Sequence, residues 1–180
     1  RVPEAQFPED SIKMCSMVFR YHWSSEDLCN ILITAIPVDV EILRKAGLRN
    51  PYVIVTEDIA MEFAQVLNYM QPDYLTGFND GSYDWPFIKA RITDDTRFKE
   101  LICSTKIKPG KPEKHFAGPM EIPRSIKIEA NDNNMLFHGY NIDGCVAFDT
   151  RIILSQANPR EKKNGLATFL DMYNLPPKED

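Results

Sequence analysis

The sequence predicts an α/β fold, a mixed sheet flanked by helices, and three observations carry that reading. Two runs rich in β-formers are separated by a short turn, a strand–helix–strand order follows them, and a later apolar run passes directly into helical spacing. At 180 residues the chain suits one domain with its own core, since about 150 residues already bury about 68–70% of the surface that the unfolded chain exposes. The 43% hydrophobic and 26% charged content is ordinary for a soluble protein. No apolar run approaches the roughly 20 residues that span a bilayer, so no membrane partner is expected. The opening "RVPEAQFPED" has neither an initiator Met nor the order of a signal peptide, and the chain reads as cut from something longer.

Taken in order, "SIKMCSMVFRYHW" (Ser11 to Trp23) alternates Cys15, Met17, Phe19 and Tyr21 with Met14, Ser16 and Val18, and predicts a strand buried on much of both faces. "SSED" makes a turn into "LCNILITAI" (Leu28 to Ile36), giving an antiparallel hairpin. A short helix fits Val40 to Lys45, ended by Gly47. "YVIV" leads to Thr56 as N-cap, with Glu57 and Asp58 in the first turn where the helix dipole favours acids. Ile59, Phe63, Val66, Leu67 and Met70 then mark an amphipathic helix from Glu57 to Met70, stopped by Pro72.

"DYLTGF" is a short strand after that helix, so a parallel crossover pairing with the strand before it is expected. Another helix should begin near Asp84 or Trp85, with Pro86 in its first turn, and "RFKELICS" continues helical. From Thr105 to Gly144, Pro109, Gly110, Pro112, Gly118, Pro119 and Pro123 break the early period, while "SIKIEA" and "NMLFHGYN" predict a β-hairpin on a protruding insertion, residues 105–144. "CVAFDTRIIL" reads as a buried strand running into a helix, and "GLATFLDMYNL" as an apolar helix stopped by Pro176 and Pro177.

The net charge of −5 argues against holding duplex nucleic acid by a general basic face. It does not exclude a nuclease, whose carboxylates bind the cations that meet the phosphate. The charge is uneven: Lys106 to Lys127 carries six Lys or Arg against two Glu, and within it Lys106, Lys108, Lys111 and Lys114 are candidate phosphate contacts, a solvated loop being the alternative. Cys15, Cys29, Cys103 and Cys145 lie far apart, with no C-x-x-C pair and none set beside His22, His115 or His138 in a zinc-like spacing, so buried thiols in a reducing compartment are expected rather than a zinc site. None of the three histidines has a carboxylate partner in a nearby motif.

The stretch "YLTGFNDGSYDWPFI" (Tyr74 to Ile88) concentrates the chemistry. In open α/β sheets ligands gather beyond the carboxyl ends of strands, where Gly77, Phe78 and Asn79 fall. Gly77 permits close approach, and Asn79 can bond a sugar or its own turn. Asp84 has two readings, a helix cap before x-Pro or a metal ligand at a strand end. Asp80 is most simply a turn residue, and Asp149 a cap or a buried hydrogen-bond acceptor before it is a metal ligand.

"TGFNDGSYDWPFI" resembles the second exonuclease motif of family B DNA polymerases: a Gly, an aromatic and Asn, three residues, an aromatic and Asp, one residue, then Pro and an aromatic. Gly77, Phe78, Asn79, Tyr83, Asp84, Pro86 and Phe87 match at the right spacing. The flanks extend the likeness: "SIKMCSMVF" is similar to the strand after the first motif, "VTEDIAMEFAQVLNYMQPDYLTGFN" to the lead into the second, and "CVAFDTRIIL" with "GLATFLDMYNL" to the segment before the third.

The resemblance implies an RNase H-like, DEDD-type exonuclease fold over 1–180 as a partial domain, and 3′–5′ proofreading with two Mg²⁺ or Mn²⁺ ions held by four carboxylates. By that resemblance Asp84 would take the catalytic metal-ligand role, Asn79 would contact the unpaired primer end, and Phe78 or Tyr83 would pack around it. The lysine-rich segment lies where such polymerases carry a hairpin that touches the primer-template junction. Partners are then primer-template DNA, the single-stranded primer 3′ end and the remaining polymerase domains, at an intracellular replication site in a nucleus or a cytoplasmic viral factory. The Asp-x-Glu of the first motif is expected upstream of this chain's opening and the Tyr and Asp of the third beyond Asp180, so either more chain exists or the fragment is expected to be inactive and poorly folded. A catalytically silent RNase H-like module that binds DNA or spaces domains is the alternative, and metal binding at Asp84 separates the two.

Overall fold

The first β-rich run forms β1 (Met14–Arg20), paired antiparallel with β2 (Asp27–Thr34) so that Met17 faces Ile31 and Phe19 faces Cys29. The computed structural model describes residues 3–103, 121–128, 133–140, 142 and 144–177. Its elements divide into two units, Arg1–Met70 with Ile88–Ile102 and Gln71–Phe87 with Cys103–Asp180.

In the first unit the sheet order is β1-β2-β3, with β3 (Pro51–Val55) parallel to β2 and Ile33 opposite Ile54. The expectation that β1 is buried on both faces is corrected. Met17 is buried, but Met14 and Val18 on the other face are 60% and 58% exposed. An edge strand is covered here on one side, and the double burial falls to central β2, where Cys29, Asn30, Ile31, Ile33 and Thr34 are all buried. Asn30 is satisfied at that depth because its side-chain amide donates to the Arg49 carbonyl at 2.7 Å.

Helix α1 (Val40–Lys45) lies between β2 and β3, as expected. The Asp39 carboxylate accepts from the Glu41 amide, and the chain turns out of the helix at Gly47 with φ +89°, a conformation that suits a residue without Cβ.

Helix α2 (Ile59–Met70) starts later than Thr56 predicts. Asp58 is the cap, its Oδ1 accepting from Met61 N at 3.1 Å, while the Thr56 hydroxyl accepts from the Asp58 amide and so belongs to the turn before the helix. The apolar stripe of α2 buries Ile59, Phe63, Val66 and Leu67. Helix α4 (Asp95–Cys103) buries Phe98, Leu101 and Ile102, and Asp94 accepts from its Arg97 amide. Each fully buried side chain of this size contributes about 1.5–3 kcal/mol. Arg91, just before α4, donates to the carbonyls of Ala5, Phe7 and Asp10 and so pins the N-terminal segment to this unit.

In the second unit β4 (Tyr74–Gly77) runs parallel to β7 (Val146–Asp149). The expected crossover pairing of β4 with β3 is therefore corrected: β3 takes β2 as its parallel partner and β4 takes β7. Strand–helix–strand order signals a crossover but does not say which strand receives it. β7 is buried only at its end, with Asp149 3% and Val146 57% exposed.

Helix α3 (Asp84–Lys89) begins where expected, and its first residues, through Phe87, belong to this unit. The predicted hairpin is β5 (Glu121–Ile128) with β6 (Asn133–Tyr140), antiparallel and extending through Pro123, which a strand at the edge of a sheet tolerates, and among the described residues this sheet has two strands. Helices α5 (Thr150–Ala157) and α6 (Leu166–Met172) close the chain ahead of Pro176 and Pro177. Trp85, Phe87, Tyr140, Ile142, Ile152 and Phe169 are the buried apolar residues here, and the Trp85 and Tyr140 rings meet edge to face at 5.6 Å. The described strands thus form three small sheets in a mixed α/β arrangement, with β1-β2-β3 itself mixed. Among the described residues no helix is long and apolar enough to cross a membrane.

Candidate functional site

The site is built at the carboxyl ends of two short parallel strands. Register places Gly77, the last residue of β4, opposite Asp149, the last residue of β7. Gly77 is required there: a Cβ on it would lie 2.7 Å from the Asp80 Cβ and 2.9 Å from its Oδ2. The Asp80 side chain folds back over the strand end because nothing projects from Gly77.

Beyond Gly77 the chain makes a tight turn. Asn79 sits at φ +63°, a left-handed conformation that Asn tolerates better than most side chains. Its carbonyl accepts from the Ser82 and Tyr83 amides, and the Asp80 carbonyl accepts from Trp85 at 2.9 Å. Asp84 is consequently the first residue inside α3, not the residue before it. The Phe87 amide, which a capping carboxylate at position 84 would take, donates to the Tyr83 carbonyl at 3.1 Å. The Phe87 amide is thus capped by backbone, and the Asp84 carboxyl interacts with its own amide instead.

Three consecutive residues at the start of α5 hold this turn. The buried Asp149 carboxylate is the N-cap of α5, its Oδ1 accepting from the Arg151 amide at 2.8 Å, and the same oxygen accepts from the Asn79 amide at 2.8 Å. The Thr150 hydroxyl donates to the Gly77 carbonyl, and the Arg151 guanidinium donates to Asn79 Oδ1. Asp149 therefore has the capping and buried-acceptor role expected of it.

Asp80 has the expected turn role, its Oδ1 accepting from the Gly81 amide at 2.8 Å, and also a charge role that sequence reasoning missed. Burial, then the neighbouring Asp149 and Asp84 carboxylates, push its pKa up to about 7, against the pull of backbone hydrogen bonds. Asp84 is raised as well, by loss of hydration first and by Asp149 in addition, with its own amide opposing. Folded Asp80 thus keeps its proton to about pH 7, whereas an unfolded Asp releases it near 3.8. Stability from this group is full below the lower value and is lost as pH rises through the upper one. Asp80→Asn is expected to flatten the pH dependence of stability between about 4 and 7 and to stabilise the fold above pH 7, read from amide-exchange protection of the turn across that range.

The remaining candidates distribute as follows. Phe78, Asn79, Tyr83 and Asp84 stand on one continuous turn. The Phe78 ring packs edge to face on Phe169 at 6.3 Å, while Tyr83 is 39% exposed with its ring 6.0 Å from Phe87. Lys106, Lys108, Lys111 and Lys114 lie outside the described residues, as does His115. His22 packs on Trp23 in the first unit. Among the described residues no group of three or more His, Cys, Asp or Glu side chains is placed to hold a metal ion. Asp149 Oδ1 accepts from two amides and Asp80 Oδ1 from one.

Residues 1–158 match the family model described as DNA polymerase family B, exonuclease domain. The chain is 28% identical over 182 aligned residues to proteins named DNA polymerase beta from two isolates of African swine fever virus, one from Kenya and one from Portugal. The alignments cover 99% of this chain and 15% and 14% of those proteins, and a Malawi isolate gives 26%. The chain thus spans about one seventh of the length of the relatives it matches.

Proposed function

The chain belongs to the family B DNA polymerases, in their exonuclease domain, and on that premise we propose that it supplies the central part of a 3′–5′ proofreading exonuclease with an RNase H-like architecture. The observation that carries this reading is the turn from Gly77 to Asp84. Its backbone takes the Phe87 amide that a capping Asp84 would hold, and α5 holds Asn79 at the end of β4 beside three carboxyl groups.

In this reading Asp84 gives one carboxylate to a site for two Mg²⁺ or Mn²⁺ ions, the other ligands coming from the longer protein. Asn79 binds the terminal nucleotide of the frayed primer strand, and Tyr83 and Phe78 flank it. The partners are primer-template DNA, its single-stranded 3′ end and the rest of the polymerase, at an intracellular replication site, nuclear or in a cytoplasmic viral factory. The reading is tested on the full-length protein with a 3′-mismatched primer in Mg²⁺ and in EDTA. Mg²⁺-dependent removal of the mismatched nucleotide, faster than removal of a matched one, is expected, and absence of removal overturns it.

A catalytically silent module that binds DNA or spaces domains is the second reading. It predicts no binding of Mg²⁺ or Mn²⁺ that depends on Asp84. Lys106, Lys108, Lys111 and Lys114 are assigned to backbone phosphates of the primer-template. Replacing all four in the full-length protein is expected to make log Kd for DNA less steep in log salt by about 3–4 units, since each neutralised phosphate contributes roughly 0.7–0.9. An unchanged slope removes them from the interface.

A further inference from the structure

Arg151 is not part of the motif, yet it makes the most specific polar contact in the site. Its guanidinium is held from behind by Asn164, with Nε donating to the Asn164 carbonyl at 3.2 Å and Nη2 to Asn164 Oδ1 at 2.9 Å, and Nη1 is thereby aimed at Asn79 Oδ1. A guanidinium has donors and no acceptor, so the Asn79 amide is oriented without ambiguity: the oxygen faces Arg151 and the NH₂ faces away. Among the described residues nothing accepts from that NH₂.

The Asn79 backbone is fixed as well, by its left-handed φ and by its amide on Asp149. Asn79 therefore offers two N–H donors in a set direction and no acceptor. What it can recognise is an acceptor oxygen.

We propose that Arg151 is a positioning residue that presents the Asn79 NH₂ to a phosphodiester or sugar oxygen at the end of a single DNA strand. The nature of the strand end rests on the exonuclease reading; the coupling of Arg151 to Asn79 rests on the geometry alone. Arg151 acts through Asn79, so removing it should cost nothing once Asn79 is gone.

The test is a double-mutant cycle in the full-length protein, with Kd for a 5′-fluorescent oligothymidylate measured in EDTA so that no cleavage intervenes. Asn79→Ala and Arg151→Met are each expected to weaken binding about 2- to 12-fold, the range for one hydrogen bond, with the double variant no weaker than Asn79→Ala alone. Arg151→Lys keeps the charge but cannot bridge Asn164 and Asn79 as a planar fork, so it should resemble Arg151→Met. Asn164→Ala removes the Oδ1 that holds Nη2, keeps the backbone carbonyl that accepts from Nε and leaves α5 unaltered, so it should weaken binding in the same direction, which keeps the test decisive if Arg151→Met disturbs the fold.

Additive losses, unchanged affinity in both Arg151→Met and Asn164→Ala, or full rescue by Lys overturn the proposal. Failure of the unchanged protein to trim a mismatched end in Mg²⁺ sinks the exonuclease reading, whereas the binding cycle judges Arg151 whichever way that falls.

Discussion

Asp84→Ala in the full-length protein is expected to lower Mg²⁺-dependent removal of a mismatched 3′ nucleotide by at least about 100-fold while primer extension continues. Loss of an outer-shell partner alone already costs 10- to 100-fold at metal sites, and Asp84 is assigned to the inner set. The structure sharpens this expectation by removing the competing role. If Asp84 were the cap of α3, its replacement would mainly destabilise the helix, by about 1 kcal/mol. The amide it would cap is instead taken by the Tyr83 carbonyl, so α3 should survive the substitution. Trimming and amide-exchange protection of α3, measured on the same variant, separate the two roles. Lost trimming with α3 intact places Asp84 at the reacting centre, and intact trimming returns it to a purely local role.

The second large effect is expected at Asp149. Its carboxylate is 3% exposed and satisfies two amides at once, one in α5 and one in the turn 70 residues earlier in the chain. Asp149→Ala removes an N-cap, worth about 1 kcal/mol and up to about 2, and strands the Asn79 amide, which adds about 1–3 kcal/mol where water does not replace the acceptor. A local destabilisation of about 2–5 kcal/mol follows, visible as lost exchange protection at Asn79 and along the first turn of α5. Asp149→Asn is the informative companion, because it keeps an acceptor oxygen and a good cap while removing the charge. It should retain most of that protection and let the Asp80 pKa fall from about 7, since Asp149 is the leading charge that raises it. If Asp149→Ala leaves protection unchanged, the grip of α5 on the turn is not what holds the site.

Much of this protein is written locally. The spacing of Gly77, Phe78, Asn79, Tyr83, Asp84, Pro86 and Phe87 identifies the family segment, which the match over residues 1–158 supports. Alternation and 3.6-residue spacing place the first hairpin, α1, α4, the β5–β6 hairpin and the passage from β7 into α5. Such features are legible because each depends on neighbours within a turn or a strand.

The misreadings share one cause, competition between groups that local pattern cannot rank. Thr56 and Asp58 both qualify as caps, and only the folded backbone shows that Asp58 reaches the Met61 amide. Alternation in β1 marks two faces but not whether anything covers both, and Met14 and Val18 remain exposed. The order β3-α2-β4 announces a crossover without naming β7 as the partner of β4.

The sequence by itself thus determined which residues could do chemistry, because side-chain type and short spacing are local facts. Only the tertiary structure decided how they act together. Pairing of β4 with β7 brings Asp149, Thr150 and Arg151 onto Gly77 and Asn79 across 70 or more residues, with no periodic signal to announce it. That pairing withdraws Asp80 from water beside two other acids and fixes which end of the Asn79 amide faces outward, since burial, field and hydrogen-bond competition exist only once distant segments share the same space.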